Sequence, residues 1–246
     1  MIRGRLAPSP TGALHLGNAR TFLLAWLSVR AQGGTVVLRV EDLDGPRVKP
    51  GAADAAIEDL RWLGLDWDEG PDRGGPHGPY AKTQRTSYYD AAVERLKPVG
   101  LVYPCVCTRG DIERAASAPH PGEEGPRYPG TCRGRFASES EATAAAGRSP
   151  ALRYQVRPGP VTFQDMCHGT VTTDVAVQVG DFVVRKSAGA AAYQLAVVVD
   201  DAAMQISEVV RGDDLIASTS RQILLYESLG LALPTFRHVP LVIGPD

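Results

Sequence analysis

The stretch Arg3-Gly-Arg5-Leu-Ala-Pro8-Ser9-Pro-Thr-Gly12-Ala-Leu-His15-Leu-Gly17-Asn18 decides how the chain reads. Residues 3–7 make a short strand. Pro8 to Gly12 cannot continue it, because proline fixes φ and removes a backbone donor. From about His15 to Arg30, Ala19, Phe22, Leu23, Trp26, Leu27 and Arg30 recur at 3–4 spacing, and Gly33-Gly34 ends the helix. Thr35 to Val40 is a nearly continuous apolar run, read as a strand buried on both faces. Strand, loop, helix, strand is the grammar of a parallel α/β sheet. Such sheets bind ligands at the carboxyl ends of their strands, and a helix N-terminus there offers phosphate its unpaired N–H groups. His15 adds a donor, and Gly17 lets a flat base approach the backbone. His-Leu-Gly-Asn alone describes a surface turn equally well. The Pro-Ser-Pro-Thr-Gly before it turns the reading towards a phosphate site.

Outward from that stretch, Pro50-Gly51 leads a helix through Ala53, Ala56, Ile57, Leu60 and Leu63, and another covers about Thr86 to Leu96. The pattern changes near Val102. Cys105 to Gly134 is rich in Pro, Gly and Arg, residues 137–147 admit a short helix, and residues 152–186 read as short strands. Leu195 to Val199 then reads as a buried strand, Gln205 to Arg211 as another, Leu215 to Gly230 as a helix and Val239 to Ile243 as a last strand. The expected architecture is a Rossmann-like parallel α/β sheet split by an α+β insert. Residues 1–101 and 181–246 are its two halves, and residues 102–180 are the insert.

Composition agrees with a soluble globule. The 246 residues carry 26 Lys+Arg against 28 Asp+Glu, a net charge of −2, which excludes a strongly polybasic binder. At 43% apolar the chain can bury a sizeable core. Gly and Pro make up ~18% against about 12% usually, which means many turns. Four Cys are too few for a disulfide scaffold. No apolar run reaches the ~20 residues of a membrane span, and the N-terminus lacks a secretory h-region. A cytoplasmic enzyme or binding protein, without membrane contact, is the expectation.

Arg5 to Asn18 resembles the first signature of class I aminoacyl-tRNA synthetases in its glutamyl-type form. Arg39-Val-Glu41-Asp42-Leu-Asp44, Leu65-Asp66-Trp67-Asp68, Gln84-Arg85 and Glu208-Val-Val-Arg211-Gly-Asp213-Asp214-Leu continue the match in order, over about residues 3–243. Within the family the chain is most similar to the glutamyl-Q branch, short paralogues without an anticodon-binding domain. These activate L-glutamate with ATP, accompanied by Mg2+, and transfer it to queuosine in the anticodon stem-loop of tRNA(Asp). The resemblance implies ATP contacts from Pro8, His15, Gly17 and Asn18, with His15 and Asn18 serving catalysis. Asn18 stands where many relatives have a second His. Arg5 would grip a substrate carboxylate as a planar fork, supported by Ser9, and Glu41 would hold the ammonium. Tyr193 and Arg211 would complete the amino-acid pocket. The bland alternatives are a capping or solvated Glu41, a core Tyr193, and an Arg211 paired with Asp213 or Asp214.

Cys105-Val-Cys107 with Cys132 offers three soft ligands for a structural Zn2+. The resemblance supplies Tyr128 as the fourth, through the pattern Cys-x-Cys…Tyr-x-x-x-Cys; zinc chemistry alone would choose His120. Cys167-His168 reads as core or surface. Arg109, Arg127, Arg133 and Arg135 in the insert are candidates for tRNA phosphates. The chain is expected to be a monomer. Two other readings stay open: the catalytic part of a glutamyl-tRNA synthetase that charges the tRNA 3′ end, and a non-catalytic synthetase-like binder. The second class I signature, a Lys-rich loop on the ATP phosphates, should begin at Val242-Ile-Gly-Pro-Asp246. Truncation or disorder is the expected reason that its Lys does not follow, with Lys186 or Arg221 as substitute cations.

Overall fold

The computed structural model describes residues 1–43, 45–115 and 126–242. His120, Asp44 and residues 243–246 lie outside them.

Strand β1 (Arg3–Leu6) leads through the proline loop into α1 (Leu16–Arg30), and β2 (Thr35–Leu38) follows. β1 and β2 pair in parallel from Arg3↔Thr35 to Leu6↔Leu38. Gly4 is what lets α1 lie on this ribbon: a Cβ there would sit 2.3 Å from Val29 Cγ2. β2 stops two residues short of expectation, and Val40 instead bridges Ala81. That bridge carries Lys82 to the end of β2.

Helices α2 (Ala52–Trp62) and α3 (Thr86–Leu96) occupy the expected stretches. Next come β3 (Val102–Cys105), α4 (Arg109–Ala115), α5 (Glu139–Ala146) and β4 (Ala151–Tyr154). The hairpin β5 (Val161–Asp165) and β6 (Gly169–Thr173), the single turn α6 (Val175–Gln178) and β7 (Phe182–Arg185) complete this part. β3, β4 and β7 form an antiparallel sheet, which therefore extends past residue 180. The β5–β6 hairpin joins a different sheet.

The run expected as a strand at Leu195–Val199 is helical: α7 spans Tyr193–Ala203. Its residues from Gln194 to Asp201 are all buried. The run Leu195–Val199 is covered on every side, so it is apolar throughout and shows no period by which helix and strand could be told apart. β8 (Glu208–Gly212), α8 (Ile216–Ser228) and β9 (Thr235–Val239) finish the fold. The last strand, expected over Val239 to Ile243, lies earlier and meets that stretch only at Val239, where it ends because Pro240 has no N–H for the ladder.

β8 and β9 pair in parallel, and β9 pairs with β5. β1 lies beside β8, where Ser207 N–H donates to Arg3 O (2.9 Å). The strands thus run in the order β2, β1, β8, β9, β5, β6. α1 covers one face with Leu6, Val36, Leu38, Ile57, Leu60 and Trp67. α7 and α8 cover the other with Leu195, Val198, Ile223 and Leu225. No described helix is long and apolar enough to cross a membrane.

Candidate active site

A cavity of about 960 Å³ opens at the carboxyl ends of β1 and β8 and beside the start of α1. Arg5, Ser9, His15, Gly17, Asn18, Glu41, Tyr193 and Arg211 all line it. Leu241 and Val242 line it too, so the chain leaving β9 passes its rim. Pro8 does not line it. Pro8 is buried, and its carbonyl accepts from Glu41 N–H (2.9 Å), so it ties the loop to the end of β2.

The start of α1 is built as a phosphate end. No acid lies in its first turn. His15 is the N-cap residue, and its N–H donates to Asn18 Oδ1 (3.2 Å), which leaves the Asn18 amide nitrogen as the donating end. A Cβ on Gly17 would lie 3.1 Å from the His15 ring, so the glycine makes room for that imidazole.

Behind this rim lies a buried charge network. Glu41 Oε1 takes both Lys82 Nζ (2.9 Å) and Arg39 Nη2 (3.2 Å). Burial acts to raise the Glu41 pKa; Lys82, then Arg39, outweigh it and hold the carboxyl below its usual range. Burial lowers the Lys82 pKa, and Glu41 restores only part of it. Arg39 Nη1 donates to Asp201 Oδ1 (2.7 Å), and Arg85 Nε to Asp200 Oδ1 (2.6 Å). Arg5 Nε stands 3.5 Å from Asp201 Oδ1 without a hydrogen bond, and Arg5 Nη1 donates to Val210 O (3.2 Å). Arg5, Arg39, Lys82 and Arg85 therefore share three carboxylates. A smaller annex of about 200 Å³ adjoins the site, lined by Lys82, Lys186, Arg47 and Tyr193 among others. The Lys82 ammonium sits 5.3 Å from the Tyr193 ring centre.

Arg211 is different. It pairs with neither Asp213 nor Asp214. Its Nε donates to His238 Nε2 (3.0 Å) and its Nη2 to Thr219 Oγ1 (2.7 Å) and Gln222 Oε1 (2.8 Å). All three acceptors are neutral groups, and Nη1 is buried without a partner. Burial lowers the guanidinium pKa, the sign of a cation held away from water. A buried cation in that state is completed by an anion. The cavity can therefore take a small zwitterion with surplus carboxylate, beside an end suited to phosphate.

The cysteine knuckle lies apart from this cavity. The sulfurs of Cys105, Cys107 and Cys132 are all within 4.8 Å of one another. Tyr128 Oη is 3.3 Å from Cys105 Sγ and 3.8 Å from Cys107 Sγ, and accepts from Cys132 N–H (2.9 Å). Arg153 Nε donates to Cys105 Sγ (3.2 Å), a cation beside what would be a thiolate set. Three soft sulfurs and one oxygen in a small buried space fit tetrahedral Zn2+. Cys167 is exposed at the β5–β6 turn, away from the other three.

Of the other cations singled out in the sequence, Lys186 lines the annex, whereas Arg221 lies in α8 and donates to Ser218 Oγ (2.9 Å). Arg133 is engaged by the buried Asp181, and Arg127 Nε by Ala176 O (2.9 Å). Arg135 stacks on Phe136, and Arg109 opens α4. Sequence reasoning missed Lys82, which reaches Glu41 only through the Val40–Ala81 bridge. It missed Asp200 and Asp201 as well. The available signal was two carboxylates at the end of an apolar run, a place that charge occupies only when paired.

Residues 1–246 match the catalytic domain of class I tRNA synthetases (E and Q). The chain is 53% identical to the "Glutamyl-Q tRNA(Asp) synthetase" of Symbiobacterium thermophilum, covering 100% of this chain and 76% of that protein. It is 51% identical to the protein of the same name from Nitratidesulfovibrio vulgaris, over 99% of this chain and 75% of that one. Among solved structures, the glutamate-tRNA synthetase of Elizabethkingia anophelis superposes with a TM-score of 0.86 at 29% identity, over all of this chain and 51% of the other. The chain spans about half of that synthetase. The parallel sheet, the loop after β1 and the comparisons agree, and the chain belongs to the class I tRNA synthetases of the glutamate and glutamine type, as their catalytic domain.

Proposed function

We propose that this chain activates L-glutamate with ATP and transfers it to queuosine in the anticodon stem-loop of tRNA(Asp). The observation that carries this reading is the convergence of Arg5, Arg211 and Glu41 in one cavity beside the start of α1. Relatives more than half identical bear the name of that activity.

Arg211 Nη1, and Arg5 beside it, would take the carboxylates of glutamate. The two cations on Glu41 share Oε1, so Oε2 is the oxygen for the substrate ammonium. Ser9 and Tyr193 would close the amino-acid pocket. The α-carboxylate then attacks the α-phosphorus of ATP, forming the glutamyl-adenylate and releasing pyrophosphate. Catalysis at this step is positioning and charge neutralisation, supplied by His15, the Asn18 amide and the α1 N-terminus. A cyclopentenediol hydroxyl of queuosine next attacks the glutamyl carbonyl. It loses its proton, forms the ester and releases AMP. Mg2+ would arrive with ATP. Cys105, Cys107, Cys132 and Tyr128 would hold Zn2+, which cross-links the loop of the insert. The β3–β4–β7 sheet and the knuckle beside it would present the tRNA surface, with Arg109 and Arg135 on phosphates.

The test is a transfer assay with labelled glutamate, ATP and either tRNA(Asp) or tRNA(Glu). Label in the queuosine nucleotide of tRNA(Asp), absent from queuosine-free tRNA, is expected. Label on the 3′ end of tRNA(Glu) would identify a glutamate–tRNA ligase instead.

A further inference from the structure

Three neighbouring strands carry Asp165, His238 and Arg211 in a row that ends in the cavity. Arg211 on β8 and His238 on β9 are direct partners in the parallel register. Asp165 ends β5, whose pairing to β9 is at Phe236. We propose that His238, held by Asp165, is a positioning residue that fixes the Arg211 guanidinium for the substrate carboxylate. This rests on the reading above, in which Arg211 meets glutamate.

The hydrogen-bond roles follow from one another. Asp165 Oδ2 lies 2.6 Å from His238 Nδ1, and the same oxygen accepts from His238 N–H (3.1 Å). The other oxygen accepts from the N–H groups of Cys167 (2.9 Å) and His168 (3.0 Å). A carboxylate in these contacts accepts a hydrogen bond from Nδ1–H, so Nε2 is the lone-pair end of a neutral ring. Only a lone pair can meet Arg211 Nε–H, 3.0 Å away. Burial, then the charge of Arg211, lowers the His238 pKa to about 4, which keeps the ring neutral. Thr219 and Gln222 hold Nη2. One edge of the fork is thereby fixed, and Nη1 is left for a ligand. The carboxylate that orients the fork stays one imidazole away from it. An acid in direct contact with Arg211 would compete with the substrate; a neutral imidazole orients the cation without cancelling it.

Packing is the rival explanation, since His238 also packs against Phe163 and Phe236. Calorimetry with glutamate and with ATP, on His238→Leu and His238→Gln, separates the two. Leu keeps apolar bulk and loses the acceptor, whereas Gln keeps an acceptor on a flexible stem. His238→Leu is expected to weaken glutamate binding about 10- to 50-fold and leave ATP affinity unchanged, the range for losing a hydrogen bond to a charged group. His238→Gln should recover most of that loss. In an Arg211→Gln background, His238→Leu should add less than about twofold, because coupled residues are not additive. Nitrogen NMR of the wild-type chain provides a readout that needs no variant: the Nδ1–H tautomer is expected. Equal losses in the Leu and Gln variants, full additivity with Arg211→Gln, or an Nε2–H tautomer would each overturn the proposal. A wild-type chain that binds no glutamate would overturn the functional reading itself, and this proposal with it.

Discussion

The cavity and the cysteine knuckle are organised by opposite means. Around the cavity, two apolar clusters of eleven or more buried residues clamp the sheet from both faces. Burial there is deep enough to hold Arg39, Arg85 and Asp200 out of water, and each finds an opposite charge within the chain. The knuckle has a cluster of four buried residues, Tyr103, Cys105, Tyr128 and Cys132. Three of its polar atoms are thiols, which make weak hydrogen bonds with one another and with Tyr128, and Cys105 accepts one from Arg153. A large core can fix charged side chains by packing them; a small one needs a cross-link. The difference is what supports the proposal of chemistry at the first region and of a structural ion at the second.

The largest expected effect tests that separation. Structural Zn2+ binding to a small knuckle is worth on the order of 10 kcal/mol in apparent affinity. Cys105→Ser should lose one zinc per chain by elemental analysis and expose residues 102–135 to protease. Glutamate binding at the cavity should survive. If glutamate affinity falls in step with zinc content, the two regions are one unit.

Arg5→Ala should act only on the other side of the comparison. It would remove a buried fork from the proposed carboxylate site, at a cost of about 3 kcal/mol, roughly a hundredfold in glutamate affinity. Zinc content should not change. Unaltered glutamate affinity by calorimetry would remove Arg5 from the pocket.

The smallest effect is a pH dependence. His238 has a folded pKa of about 4, below the ~6.5 of an unfolded histidine. Between those values the unfolded chain binds the extra proton, so stability falls as pH drops from 7 towards 4 and this loss levels off below 4. By pH 5 the contribution is about 2 kcal/mol. Urea melts at pH 7 and pH 5 should show the loss in the wild type and a smaller one in His238→Leu. Parallel losses in both would mean that other groups carry the slope.

The same contrast explains what was legible in the sequence. The proline loop, α1, β1 and β2 are contiguous, and local rules of turn chemistry and helical period sufficed to place Arg5, Ser9, His15, Gly17 and Asn18 together. The knuckle is also local: Cys105, Cys107 and Cys132 fall within 28 residues of sequence and their spacing shows. α7 was misread because complete burial erases the period that distinguishes helix from strand. Lys82 was invisible, since nothing near Ala81 announces that this segment bridges Val40. Asp165, His238 and Arg211 lie 73 and 27 residues apart in sequence, and only strand order makes them neighbours. Long-range register is a tertiary property, and no local pattern in those segments encodes it.

The central claim is that the buried cations at β1 and β8 are completed by the carboxylates of glutamate. Calorimetric titration of the chain with glutamate and with glutamine tests it most directly, because the two ligands share a shape and differ by one charge. Glutamate should bind about 100-fold more tightly, the scale of one charge-assisted carboxylate–arginine contact in a dry site. Equal affinities, or tighter glutamine, would contradict it.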